Sequence, residues 1–164
     1  MTATPISMHT HAGHSLEATK FVIQSHIAAM YLPSLLYAGL FGRLGLKGML
    51  WLGTLVYLLC LAIAAINTGF LNYWVALVLL GIGWNFLFLS GTNLLPSGYR
   101  PMERFRAQSA NDFVVFSVQA VASLGSGWLL YHWQWQGIIY ACAVLMAAFA
   151  LLLRLNFEKV KIYI

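Results

Sequence analysis

The chain has 164 residues, of which 61% are hydrophobic and 8% charged, with a mean hydropathy of +0.78 and a formal net charge of +5. A water-soluble domain ordinarily carries about a quarter charged residues, so most of this surface is expected to meet lipid. The basic excess does not point to nucleic acid, because its residues are distributed along the chain at the ends of apolar segments.

The first 19 residues lack the apolar core of a secretory signal. They hold His9, His11 and His14 beside Met8, a set of imidazoles and a thioether of the kind that binds copper or zinc. The spacing fits no recognised ligand rule, so no metal and no cofactor are expected. Five apolar segments follow, at about 21–41, 49–66, 73–95, 107–130 and 137–153. Each approaches the ~20 residues that cross about 30 Å of hydrocarbon as a helix, which satisfies its own backbone. Pro33 should bend the first. The connections are short: Gly42–Gly48, Asn67–Asn72, Pro96–Arg106 and Tyr131–Gln136. Cys60 and Cys142 lie in different apolar runs and suggest no disulfide framework. The expectation is an all-α, polytopic membrane protein forming one transmembrane domain over 1–164.

Charge orients the spans. Connections alternate between the two membrane faces. One face receives Arg43, Lys47, Arg100, Arg104, Arg106, Arg154, Lys159 and Lys161, eight of the nine basic residues, and the other receives Lys20. Positive charge collects on the cytoplasmic side. The N-terminus should therefore be outside and the C-terminus cytoplasmic. Tyr73, Trp74, Tyr131, Trp133 and Trp135 would lie near the outer boundary, as an interfacial belt.

Polar groups inside spans need partners. Gln24 and His26 fall in the first span and Asn85 in the third. Gln108, Asn111, Asp112 and Gln119 share one side of the fourth helix at about 100° per residue. These seven are the candidates for cavity lining or coupling. Three also have a structural reading: Asn85 as glue between helices, His26 as a hydrogen-bonded packing residue, and Asp112 as an inner-face anchor. Asp112 lies only about 9 Å along a helix from Arg106. Gly81, Gly83, Gly91, Ser123, Gly125 and Gly127 should allow close helix approach. No enzyme is expected. The chain has no GxGxxG, Walker loop, HExxH or nucleophile elbow, and His26 and Ser34 stand two turns apart on one helix.

The stretch Ala38–Lys47, AGLFGRLGLK, resembles the signature turn Gly-x-Leu-x-Asp-Arg-x-Gly-Arg-Lys of major facilitator superfamily (MFS) transporters. Leu40, Arg43, Gly45 and Lys47 match; Ala38, Gly42 and Leu46 replace the first glycine, the aspartate and an arginine. FVIQSHIAAMYLPS, LLGIGWNFLFLSGTNLL and YRPMERFRAQSANDFVVF resemble the eighth, tenth and entry to the eleventh helices of a bacterial subgroup. The chain thus resembles the C-terminal half of such a transporter, helices eight to twelve plus the end of helix seven.

The resemblance implies secondary active transport of an unknown small solute across the bacterial inner membrane. It implies a cytoplasmic gate loop containing Arg43, Gly45, Lys47 and Arg104. Two six-helix halves rock around a central site in such proteins, so the chain alone is expected to be an inactive fragment. Its partners would be lipid, the solute, and the missing N-terminal half or another membrane protein, with no nucleic acid. The alternative is a small accessory or structural membrane protein that binds another membrane protein and moves nothing.

Overall fold

The computed structural model describes residues 2–156. Lys159 and Lys161 of the basic face lie outside the described residues. All regular structure among those residues is helical: α1 (Ala3–Ile6), which runs into a π-helical turn (Ser7–His11), then α2 (Leu16–Tyr31), α3 (Ser34–Ile66), α4 (Phe70–Leu94) and α5 (Arg104–Asn156). Two short 3₁₀ turns, Leu95–Gly98 and Pro101–Glu103, link α4 to α5.

Local chemistry sets the ends. Ser15 caps α2 by accepting from the Ala18 N–H at 3.1 Å, with Glu17 in the first turn. The chain breaks between Tyr31 and Ser34, where Pro33 has no N–H to continue the ladder. Asn67 Oδ1 accepts from the Gly69 N–H at 2.8 Å, turning the chain into α4. Asn72 then donates to the Ile63 carbonyl at 3.1 Å, holding the start of α4 against the end of α3.

Both α3 and α5 are two helices joined at one residue. In α3 that residue is Gly45, at φ 65° and ψ 179°; in α5 it is Gln134, at φ 55° and ψ −159°. Contacts with α4 give the direction of each arm. His26 reaches Leu77, Met30 reaches Asn85 and Tyr37 reaches Ser90, so α2 and the first arm of α3 run parallel to α4. Gly53 abuts Leu87, Tyr57 abuts Gly83 and Ala64 packs with Ala76, so the second arm runs the other way. The chain therefore reverses at Gly45. The expected connections at 42–48 and 131–136 each narrow to a single residue, with helix continuing on both sides.

Helix α4 is the centre of the packing. Three buried clusters are strung along it: Met8, Val22, Tyr73 and Leu77; Cys60, Ala64, Ala76 and Ile139; and Tyr37, Met49 and Phe86. Gly81 lets α2 approach, since a Cβ there would lie 2.8 Å from the His26 carbonyl oxygen. Gly83 does the same for the second arm of α3, where a Cβ would meet Tyr57 at 2.7 Å. The expectation fails at Gly91, Gly125 and Gly127, which have nothing within 4 Å of a built Cβ. These three lie on surfaces that no helix among the described residues covers. The first arm of α5 packs least, with Phe113 75% and Leu124 82% exposed. Three helical stretches are long and apolar enough to cross a membrane: Ser34–Ile66, Phe70–Gly98 and Pro101–Asn156.

Candidate functional site

A line of buried and part-buried polar contacts runs along the seam where α2 and the first arm of α3 meet α4. His26 Nδ1 lies 2.7 Å from the Leu77 carbonyl oxygen. A carbonyl only accepts, so Nδ1 carries the hydrogen. Further along, Asn85 Nδ2 donates to the Met30 carbonyl at 2.8 Å. Tyr37 Oη and Ser90 Oγ are 3.1 Å apart, and Asn93 Nδ2 donates to Tyr37 Oη at 3.1 Å. Two expected cavity residues, His26 and Asn85, are thus buried helix-to-helix ties. Gln24, two residues before His26 and on the opposite side of α2, is exposed.

Asn85 occupies the place where α2 ends. Pro33 cannot donate back into the preceding turn, so carbonyls of that turn lose helical partners. One of them, Met30 O, is taken by Asn85 from the neighbouring helix. The other end of the amide, Oδ1, is buried and has no partner among the described residues. An amide that is half satisfied in an apolar seam keeps an acceptor available for one further donor.

The stripe on α5 is a separate feature. Gln108 and Asn111 are half-buried, whereas Asp112 and Gln119 are exposed. Asp112 accepts from Asn111 Nδ2 at 3.3 Å. This bond stays within α5, to the adjacent residue. No hydrogen bond joins the stripe to the α2–α4 seam among the described residues. Asp112 and Gln119 face outward on the arm that packs least.

The loop residues sit at the end opposite Asn67. Gly45 makes the reversal, in a backbone region essentially closed to side chains. Arg43 and Lys47 flank it and are exposed, as is Arg104 at the start of α5. At the other end, His9 Nδ1 contacts the His14 carbonyl and His14 Nε2 the Thr68 carbonyl, each at 2.9 Å. Both imidazoles thus tie down backbone. No group of three or more His, Cys, Asp or Glu is placed to hold a metal ion among the described residues.

Sequence reasoning missed three features. Tyr37, Ser90 and Asn93 join into one network across the seam, although each reads singly as an ordinary residue of an apolar segment. Ser7 Oγ and Tyr73 Oη meet at 2.7 Å and fasten the N-terminal turn to α4. Gln134 adopts a positive φ, for which a glutamine carries no signal.

The sequence matches the profile of the Major Facilitator Superfamily over residues 1–161. It is 39% identical over 140 residues to a riboflavin transporter of Brucella anthropi, covering 84% of this chain and 34% of the relative. It is also similar to two uncharacterized MFS-type transporters of Bacillus subtilis. YdeG is 39% identical over 132 residues, covering 79% of this chain and 30% of the relative. YddS is 38% identical over 134 residues, covering 80% and 30%. No solved structure matches significantly. The chain spans about a third of the length of the curated relatives it matches. With the family match running nearly from end to end, and apolar helices long enough to cross a bilayer, this is a multi-pass membrane protein that belongs to the Major Facilitator Superfamily.

Proposed function

We propose that this chain supplies the C-terminal part of a bacterial secondary transporter for a small neutral solute, with riboflavin the first substrate to test. The observation that carries this reading is the 39% identity to a riboflavin transporter across 84% of the chain. The five apolar segments cross the inner membrane, with the N-terminus outside and the C-terminus cytoplasmic, following the charge asymmetry of the connections. The rest of the transporter packs against the first arm of α5. That contact covers Gln108, Asn111, Asp112 and Gln119 and gives them work at the cavity or in coupling. The seam through His26 and Asn85 holds the bundle together as it rocks. Arg43, Gly45, Lys47 and Arg104 form the cytoplasmic turn, where the charges keep a compact reversal at the membrane surface.

On this reading the chain by itself transports nothing, because alternating access needs two bundles around one site. The test is growth of a riboflavin-requiring bacterium on limiting riboflavin. A gene joining this chain to the N-terminal part of the Brucella anthropi relative should restore growth, and this chain alone should not. Failure of the joined protein, present in the membrane at normal level, would reject riboflavin as the substrate.

A further inference from the structure

At the end of the bundle that holds the π-helical turn, the α3–α4 connection and the break in α5 lies a cleft of about 170 Å³. Its walls include Ser7 and His11 from the π-helical turn, Thr68 from the α3–α4 connection, Tyr73 of α4, and Gln134 and Trp135 at the break in α5. No lysine, arginine, aspartate or glutamate lines it. π-helical turns recur at functional sites, and so do residues held in sparsely populated backbone regions.

Gln134 is the sharper signal. It is the one residue other than glycine with positive φ among the described residues. Its φ of 55° and ψ of −159° fall in a region that is otherwise essentially glycine's. The neighbouring residue holds it there. Trp135 Nε1 donates to the Ala64 carbonyl at 3.2 Å, and the Trp135 ring meets Tyr73 edge-on with centroids 5.0 Å apart. A glycine would turn the chain at this point with less strain, but it would present no side chain to the cleft. The Gln134 amide and the His11 ring make no hydrogen bond among the described residues, so both remain available to a ligand. The opposite wall is fixed by the Ser7–Tyr73 hydroxyl contact and by His14 on the Thr68 carbonyl.

We propose that this cleft binds a small, neutral, planar ring whose edge carries adjacent N–H and C=O groups, a cyclic imide of the uracil type. A glutamine amide offers an acceptor and two donors side by side, and so pairs with such an edge through two parallel hydrogen bonds. Trp135, half-buried beside Gln134, supplies apolar surface for the ring, with the Tyr73 ring packed behind it. The uncharged lining gives an ion no counter-charge. At about 170 Å³ the cleft is close in size to a cavity of about 150 Å³ that holds one benzene ring. This is a property of the chain itself and does not depend on transport.

The test is saturation-transfer NMR on the 164-residue chain in lipid nanodiscs, titrated with uracil. Saturable binding is expected, with 1,3-dimethyluracil, whose N–H groups are blocked, failing to compete. Gln134→Gly removes the amide and leaves a residue suited to the backbone, so it should fold at least as well and bind about tenfold more weakly or worse. Gln134→Asn, which keeps an amide, should bind more tightly than Gln134→Gly. Absence of saturable binding, equal competition by 1,3-dimethyluracil, or unchanged affinity in Gln134→Gly would each overturn the proposal.

Discussion

The Asn85 side chain donates to the carbonyl oxygen of Met30 across 2.8 Å, on the last turn of α2 before the break at Pro33. A bend in one helix is thereby sealed by an amide from the next. Replacing Asn85 with Ala leaves a carbonyl unpartnered in an apolar seam. Interhelical hydrogen bonds of this kind contribute about 0.6 to 1.7 kcal/mol in membrane proteins. Asn85→Ala should therefore lower the unfolding free energy by about 1 kcal/mol in a denaturant titration in mixed micelles. Unchanged stability would show that Met30 O finds another donor.

Gly81 and Gly91 lie on the same helix with opposite surroundings. A Cβ at Gly81 would sit 2.8 Å from backbone oxygen of His26, whereas one at Gly91 meets nothing within 4 Å. Gly81→Ala should separate α2 from α4 and cost about 1–3 kcal/mol. Gly91→Ala should be neutral or stabilising by up to about 1 kcal/mol, since alanine is the better helix former. Parallel thermal denaturation of the two variants checks the pair, and equal effects would contradict the packing at Gly81.

Gly45 and Gln134 form an opposed pair of backbone tests. Gly45→Ala forces a Cβ into a region that disfavours it and should destabilise by about 1–3 kcal/mol. Gln134→Gly relieves the same kind of strain and should stabilise the chain by about 1 kcal/mol. Denaturant midpoints in detergent read both. A stabilised Gly45→Ala would mean that the chain does not reverse there.

Asp112 lies on the exposed side of α5 with Asn111 as its hydrogen-bonding neighbour. In the complete transporter, Asp112→Asn should leave insertion unchanged and lower the rate of uptake about tenfold or more. Uptake measured across pH separates two roles. A flattened pH profile marks a coupling role, and a preserved profile with a lower rate marks a positional one. An unchanged rate and profile would remove Asp112 from both.

Much of the helical layout is legible in the amino-acid order, because lipid demands long apolar runs that interrupt themselves only where the chain turns. Pro33 marks its break through a missing N–H, and Gly45 marks its reversal within a motif that resembles the family's turn. Gln134 gives no such sign, because the strain there is imposed by the packing of Trp135 against Tyr73 and Ala64. The small residues show a second limit. Gly81, Gly83 and Gly91 look alike in order, but which of them meets a neighbouring helix depends on the rotation of α4 in the bundle. Likewise the polar residues are visible singly, while their sorting into a buried seam on α4 and an open stripe on α5 is a matter of tertiary packing.

The orientation rests on charge. Reporters active only in the cytoplasm should be silent when fused to the N-terminus and active when fused to the C-terminus. Activity at the N-terminal fusion would reverse the assignment of faces.

On the proposed function, this chain is one part of a two-bundle transporter and moves no solute by itself. Counterflow of labelled riboflavin in liposomes tests it most directly, with the intact Brucella anthropi relative as the positive control. Exchange at background level is expected for the 164-residue chain. Saturable exchange is expected once the chain is joined to the N-terminal part of that relative. Saturable, riboflavin-specific exchange by the 164-residue chain alone would show that one bundle suffices.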